Sequence, residues 1–181
     1  MGKLGLRGLV LAAAIALLGV ASYAIAGGGT KNFSGTPMNG YEENPDVSTV
    51  ASGSFEARLS ADGDSLAYDL SYSGLEGTVT QAHIHFGKPA VNGGISIWLC
   101  ETATNPSPSA STPTCPQEGT VSGEVSALEV VGPAGQGIAP GEFAEILAAL
   151  RAGHAYANVH SSKFGGGEIR AQINNHGESN D

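Results

Sequence analysis

His83 and His85 are separated by a single residue, and on an extended strand that spacing puts both imidazoles on one face, about 7 Å apart at Cα (two residues at ~3.3 Å rise). Two rings so placed can converge on one ion. A third imidazole, His160, closes the segment Asn158-Val159-His160. If its strand lies beside the first, three nitrogen ligands meet on one sheet face, a donor set suited to copper or zinc. The same pattern also suits histidines at a surface, or histidines hydrogen-bonded across strands, and these readings stay open at the level of sequence. Glu168 and Arg170 alternate with Gln172 on a later segment, so they share a face. With Asn158 they are candidates for orienting an imidazole, and Glu168 and Arg170 also suit a cross-strand ion pair. His154 and His176 have no comparable setting.

Other chemistries find no residues. The chain has no Gly-x-Ser-x-Gly elbow, no phosphate-cradling glycine loop and no His-Glu-x-x-His helix. No catalytic set is assigned, and enzyme activity is not the expectation. The densest carboxylates, Glu42-Glu43 and Asp62-Gly63-Asp64, fall in turns, where such side chains are solvated or bond the local backbone.

The histidines need strands to hold them, and the pattern supplies strands. Phe55, Ala57 and Leu59 alternate with Ser54, Glu56 and Arg58; the turn at 61–64 follows; Leu66, Tyr68, Leu70 and Tyr72 then alternate with Ala67, Asp69 and Ser71. A third strand over 78–86 puts Thr80, Ala82, Ile84 and Phe86 on one side and Val79, Gln81, His83 and His85 on the other. Further strands are read in 95–100, over 119–131 as one strand or two, in 154–160 and in 168–173. Phe143, Ile146, Leu147 and Leu150 break the pattern at helical spacing, with Pro140 before them and Gly153 after, which predicts one short helix over 142–152. Seven or eight short strands with one inserted helix imply an all-β fold, a Greek-key β-sandwich or barrel.

At 181 residues with 41% apolar content the chain makes one ordinary domain, and 27 glycines with 6% aromatics argue for turns over helical packing. The first 26 residues differ from the rest. Lys3 and Arg7 precede an apolar run from Leu9 to Val20, and Ala24-Ile25-Ala26 has the small-x-small pattern of a cleavage site, so 1–26 reads as a signal peptide and the chain as exported, secreted or periplasmic. Its removal leaves 6 basic against 17 acidic side chains, a formal −11. That balance excludes nucleic acid, whose binders need clustered Lys and Arg. In an oxidising compartment the isolated pair Cys100 and Cys115 reads as a disulfide closing a Pro/Ser/Thr-rich excursion. The mature chain then divides into a flexible leader at 27–32, a β domain at 33–173 and a disordered tail at 174–181, with no membrane contact after cleavage.

The motifs also resemble a family. Asn39-Gly-Tyr-Glu-Glu-Asn-Pro45, Ala51-Ser-Gly53, Leu66-Ala-Tyr-Asp-Leu-Ser-Tyr-Ser-Gly-Leu75, Ala82-His-Ile-His-Phe-Gly87, Asn92-Gly-Gly94, Leu150-Arg-Ala-Gly-His-Ala-Tyr-Ala-Asn-Val-His160 and Gly167-Glu-Ile-Arg-Ala-Gln172 follow one another in the order seen in the chordin-type CHRD domain. The resemblance implies an extracellular all-β module, single-copy in secreted microbial proteins, with an extracellular protein or surface component as partner. It does not carry over growth-factor antagonism, since the cysteine-rich modules that accompany that role are missing here. The insertion between Cys100 and Cys115 departs from the pattern. His83-Ile-His85 and Asn158-Val-His160 are also similar to copper,zinc superoxide dismutase, which gives a copper- or zinc-dependent redox enzyme as the alternative. No histidine between His85 and His154 supplies the further zinc ligands of such an enzyme.

Overall fold

The structure, a computed structural model, describes residues 31–176. The signal peptide read in 1–26 lies outside the described residues, as do 27–30 and 177–181. The described chain is all-β. Eight antiparallel strands follow one path in the order β5-β4-β7-β8-β1-β2-β3-β6, a nearly closed, barrel-like sheet, and a ninth pairs with β1 off that path. The strands are β1 (Asn32–Asn39), β2 (Ser52–Leu59), β3 (Leu66–Ser73), β4 (Val79–Phe86), β5 (Gly94–Cys100), β6 (Gly119–Val125), β7 (Ala155–Ser161), β8 (Ile169–Gln172) and β9 (Asn174–His176). Of the two all-β forms expected, the barrel is the one adopted.

Period two does what it should in β2 and β3. Phe55, Ala57, Leu59, Leu66, Tyr68, Leu70 and Tyr72 are buried in one core, while the alternate residues Glu56, Arg58, Ala67 and Asp69 face solvent. Their hairpin turn is closed by Ser60, whose hydroxyl donates to Asp62 Oδ1 and accepts from the backbone N–H of Ser65. The helix α1 (Phe143–Arg151) buries Phe143, Ile146, Leu147 and Leu150, packs on β7 and β9, and is followed by Gly153 at φ 69°.

The open seam between the path ends β5 and β6 is where the cysteines lie. Tyr68 donates its hydroxyl to Leu99 O at 2.6 Å, Tyr72 to Pro116 O at 2.5 Å, and the Val131 N–H bonds Ser96 O at 2.9 Å. Cys100 and Cys115 form a disulfide with a Cα separation of 4.9 Å, pinning the 101–114 excursion at this seam. By loop entropy a bridge of that span stabilises by about 3 kcal/mol.

Two elements differ from the sequence reading. β1 carries no visible alternation, because Gly35 faces Phe55 and Met38 faces Gly53, so one extra residue bulges out of β1 between them. Phe33 and Met38 therefore both reach the core although their spacing is odd. Residues 174–176, read as the start of a disordered tail, pair with β1 at Asn32, Phe33 and Ser34. The segment over 119–131 is one strand followed by a 3-10 turn at Ala127–Glu129.

Candidate metal centre

β4 lies between β5 and β7, and both neighbours supply the site. On the β7 side His83 faces Asn158, His85 faces Tyr156 and Gln81 faces His160; across the next pairing Asn158 faces Arg170. The β5 side is irregular: Leu99 and Ser96 are each an extra residue, so Trp98 comes opposite His83 and Ile95 opposite His85. The inward residues of these strands, Ala82, Ile84, Ala157 and Val159, join the core. The histidines occupy the opposite, outer face.

That face is not wet. His83 is 0% exposed, His85 7%, His160 6%, Asn158 2% and Arg170 1%. Three loops cover it. Residues 40–47 bring Glu43, 88–93 is held down by Arg170, which donates to Lys88 O and Val91 O at 3.2 Å each, and 162–167 bonds His160 through Gly165 O. Asn44 and Asn92 tie the first two loops together, Asn44 Nδ2 donating to Ala90 O and Asn92 Nδ2 to Asn44 O.

Beneath them the three imidazoles meet. Their candidate ligand atoms all lie within 4.8 Å of one another, and His83 Nδ1 is 3.2 Å from His160 Nε2. Ring tautomers follow from the surroundings. A backbone carbonyl only accepts, so His85 Nδ1, 3.0 Å from Gly93 O, and His160 Nδ1, 3.0 Å from Gly165 O, carry the proton of each neutral ring. Their Nε2 atoms then present lone pairs. The Nε2 atoms of His83 and His85 are buried with no hydrogen-bond partner. Burial, followed by the neighbouring imidazoles, pushes His83 down to about 2; burial also takes His85 down to about 4, and lowers His160. The triad is neutral at physiological pH, the state in which imidazole binds metal.

Aromatic rings frame the triad. Trp98, half-buried, meets His83 edge-on at 4.3 Å between centroids, and Tyr156 stacks flat on His85 at 4.8 Å with an interplanar angle of 2°. The Arg170 guanidinium covers the other face of Tyr156 at 3.3 Å. One residue joins the column: the Gly93 N–H donates to the Tyr156 hydroxyl while Gly93 O accepts from His85. A Cβ at residue 93 would fall 1.7 Å from Phe86 O, so only glycine lets this residue sit where it orients both rings.

Of the orienting residues named from sequence, Asn158 is in contact with the triad, its Oδ1 3.0 Å from His160 Nε2. Arg170 acts through Tyr156 and lies beside Glu43, whose ionised form it favours. Glu168 is not brought to the histidines. Its Oε1 accepts from the Thr49 hydroxyl and the Glu76 N–H, so it makes no ion pair with Arg170. Sequence reads Glu43 as a turn carboxylate, solvated or bonded to local backbone, and the structure corrects this: it is 6% exposed, and burial pushes it up to about 7 against the opposing effects of Arg170 and Asn158. Trp98, Tyr156 and Gly93 join the site without a chemical signal in their types or spacing. Glu43, Gly93 and Tyr156 do fall inside the family's motifs; Trp98 does not.

A family model, the CHRD domain, matches residues 35–173, most of the chain. The chain belongs to the CHRD domain family, whose members are typically extracellular. No curated protein and no solved structure matches it.

Proposed function

We propose that this CHRD domain is an exported binding or structural module that holds one copper or zinc ion at His83, His85 and His160. The observation that carries the reading is the convergence of three buried rings, two of which, His85 and His160, commit their Nδ1 protons to backbone carbonyls and so keep lone pairs on Nε2, that of His85 buried without a partner. An unpaired buried acceptor costs about 1–3 kcal/mol, and an ion at the centre of the triad removes that cost. The fit is reasonable. Nitrogens bound at 2.0–2.1 Å around a tetrahedral ion lie about 3.3 Å apart, close to the 3.2 Å between His83 Nδ1 and His160 Nε2, and rotation of the rings brings the widest separation inward. Gly93 O and Gly165 O supply the hydrogen bonds that metal-binding histidines make through their other nitrogen. Export is supported by the leader, by the disulfide and by the family, and the partner follows as an extracellular protein or surface component.

Metal analysis of protein purified from its native compartment tests this. One copper or zinc per chain is expected, lost in the His83→Ala/His85→Ala variant. Metal-free protein whose Tm does not move on addition of either ion would overturn it. A second reading, a redox enzyme, is favoured by the same three-histidine set and differs in needing an open coordination position.

A further inference from the structure

We propose that Asn158 Oδ1 is the fourth ligand of this centre, closing it as a four-coordinate site of three nitrogens and one oxygen with no position left for water or substrate. The inference rests on the metal reading above and goes further by assigning the kind of site.

It comes from counting protons. His160 faces two oxygens that only accept, Gly165 O from Nδ1 and Asn158 Oδ1 from Nε2, each at 3.0 Å. A neutral ring has one proton to give, and this ring is buried among neutral groups. With that proton on Nδ1, the Nε2 lone pair points at the lone pairs of an amide oxygen. The other end of the amide fixes its orientation. Asn158 Nδ2 and Glu43 Oε1 sit side by side in the space a Cβ of Gly167 would fill, 2.8 and 2.3 Å from it, and the amide favours the ionised carboxylate. An N–H end turned to a carboxylate leaves Oδ1 turned to the rings, where it also interacts with His85.

Between facing lone pairs a cation fits; a proton on His83 Nδ1 would satisfy His160 Nε2 but would leave Asn158 Oδ1 without a donor there. The spacing agrees: 3.0 Å from Asn158 Oδ1 to His160 Nε2 and 3.2 Å from there to His83 Nδ1 stand near the ~3.3 Å between ligands of a tetrahedral zinc-type ion. His83 and Asn158 are direct partners across β4 and β7, so the donors are held by sheet rather than by loops. Glu43 places a carboxyl group behind the amide, in a site whose four donors are all neutral. Closed four-ligand sites hold structure together, whereas catalytic ones keep a position open. The ion class that fits is therefore a divalent, tetrahedral one, with zinc first.

The test uses the whole mature protein loaded with Co(II), a coloured stand-in for zinc. Wild type is expected to bind one Co(II) with the visible bands of a tetrahedral ion, and excess azide leaves them unchanged. Asn158→Ala is expected to bind about 10- to 100-fold more weakly and to change colour with azide, because a position has opened. Asn158→Asp, which keeps an oxygen but has no N–H, is expected to stay closed to azide. An azide-dependent shift in wild type would overturn the closed site while leaving the metal reading in place and favouring the redox enzyme. Wild-type affinity and spectrum retained in Asn158→Ala would also overturn it, as would loss of Co(II) from Asn158→Asp shown by circular dichroism to be folded, since the amide would then act as a donor. Failure of wild type to bind Co(II), Zn(II) or copper by calorimetry would remove the metal reading itself.

Discussion

The two halves of the barrel wall are built from similar alternating strands and end in different states. In β3 alternate residues are open to solvent, Ser71 only in part, whereas in β7 all seven residues are buried. Around β2, β3 and β6 the outer face carries Glu56, Arg58, Asp69 and Glu124 in water, which needs no partners. Around β4, β7 and β8 the outer face carries imidazoles, an amide and a guanidinium, and loops cover it. Buried side-chain atoms without a hydrogen-bond partner at Glu43, His83, His85, Ser96 and Glu168 all lie on or beside this covered half, and none lies on β2, β3 or β6 among the described residues. A barrel does not need that arrangement for stability, because polar groups left in water cost nothing comparable. The covered half is where the proposed ion would offset a burial cost that the exposed half does not carry.

If the halves differ only on their outer faces, their inner faces should be equally costly to damage. Leu70→Ala and Ile84→Ala each remove a fully buried side chain, one from each half, and both are expected to lose about 2–5 kcal/mol in urea unfolding. A loss confined to one of them would show that the core, and not its covering, distinguishes the halves.

A smaller effect, specific to the covered half, is acid sensitivity of the metal-free protein. His83 and His85 are held at about 2 and about 4, and His160 is also lowered, so below about pH 6.5 the unfolded chain binds protons that the folded one refuses. Their contribution is complete above that pH and is lost as the pH falls toward the folded values. Glu43, raised to about 7, runs the other way: its contribution is complete below about 4.5 and is lost as pH rises through 7. Three groups oppose one, so stability falls from pH 6.5 to 4.5, by about 1.4 kcal/mol per pH unit for each net proton. A melting series should show this, with a shallower slope in His85→Asn. A Tm that is flat across the window would contradict the burial of the triad.

Gly93→Ala sharpens the comparison from the loop side. The added methyl must displace the Phe86 carbonyl or shift residue 93, whose two flanking peptides orient Tyr156 and His85. The expected loss is about 1–3 kcal/mol, accompanied by weaker metal binding. Stability lost with metal affinity intact would mean Gly93 does not position His85.

What could be read from sequence follows the same division. The exposed half kept strict period two, so its strands were legible residue by residue, and α1 showed itself through Phe143, Ile146, Leu147 and Leu150. His83, His85 and His160 were legible as one face because β4 and β7 pair without interruption from Gln81 to Phe86. What hid the rest was irregularity and distance. The extra residues Leu99 and Ser96 shift the faces of β5, so Trp98 meets His83 while Cys100 comes opposite Ala82. The bulge in β1 hid that strand altogether. Nothing local to Glu43 shows that it will be buried, because what buries it is contributed by Asn158, Gly167 and Arg170, more than a hundred residues away.

The smallest expected effect tests the exposed half on its own terms. Glu56 and Asp69 are direct cross-strand partners on β2 and β3, two like charges on a solvated face, with Ser122 donating to Asp69 Oδ1. Such a pair is mildly repulsive, and water and salt screen it. Glu56→Gln should therefore stabilise by a few tenths of a kcal/mol at low ionic strength, a gain that disappears in 1 M salt, with metal binding untouched. The same change at Glu43, measured well above pH 7 where its carboxyl is ionised, removes a charge that no water screens, and its effect on metal affinity should persist in salt. If Glu56→Gln altered metal binding, or if salt abolished the effect of Glu43→Gln, the two outer faces would not be electrostatically separate, and the contrast between a solvated wall and a covered one would fail.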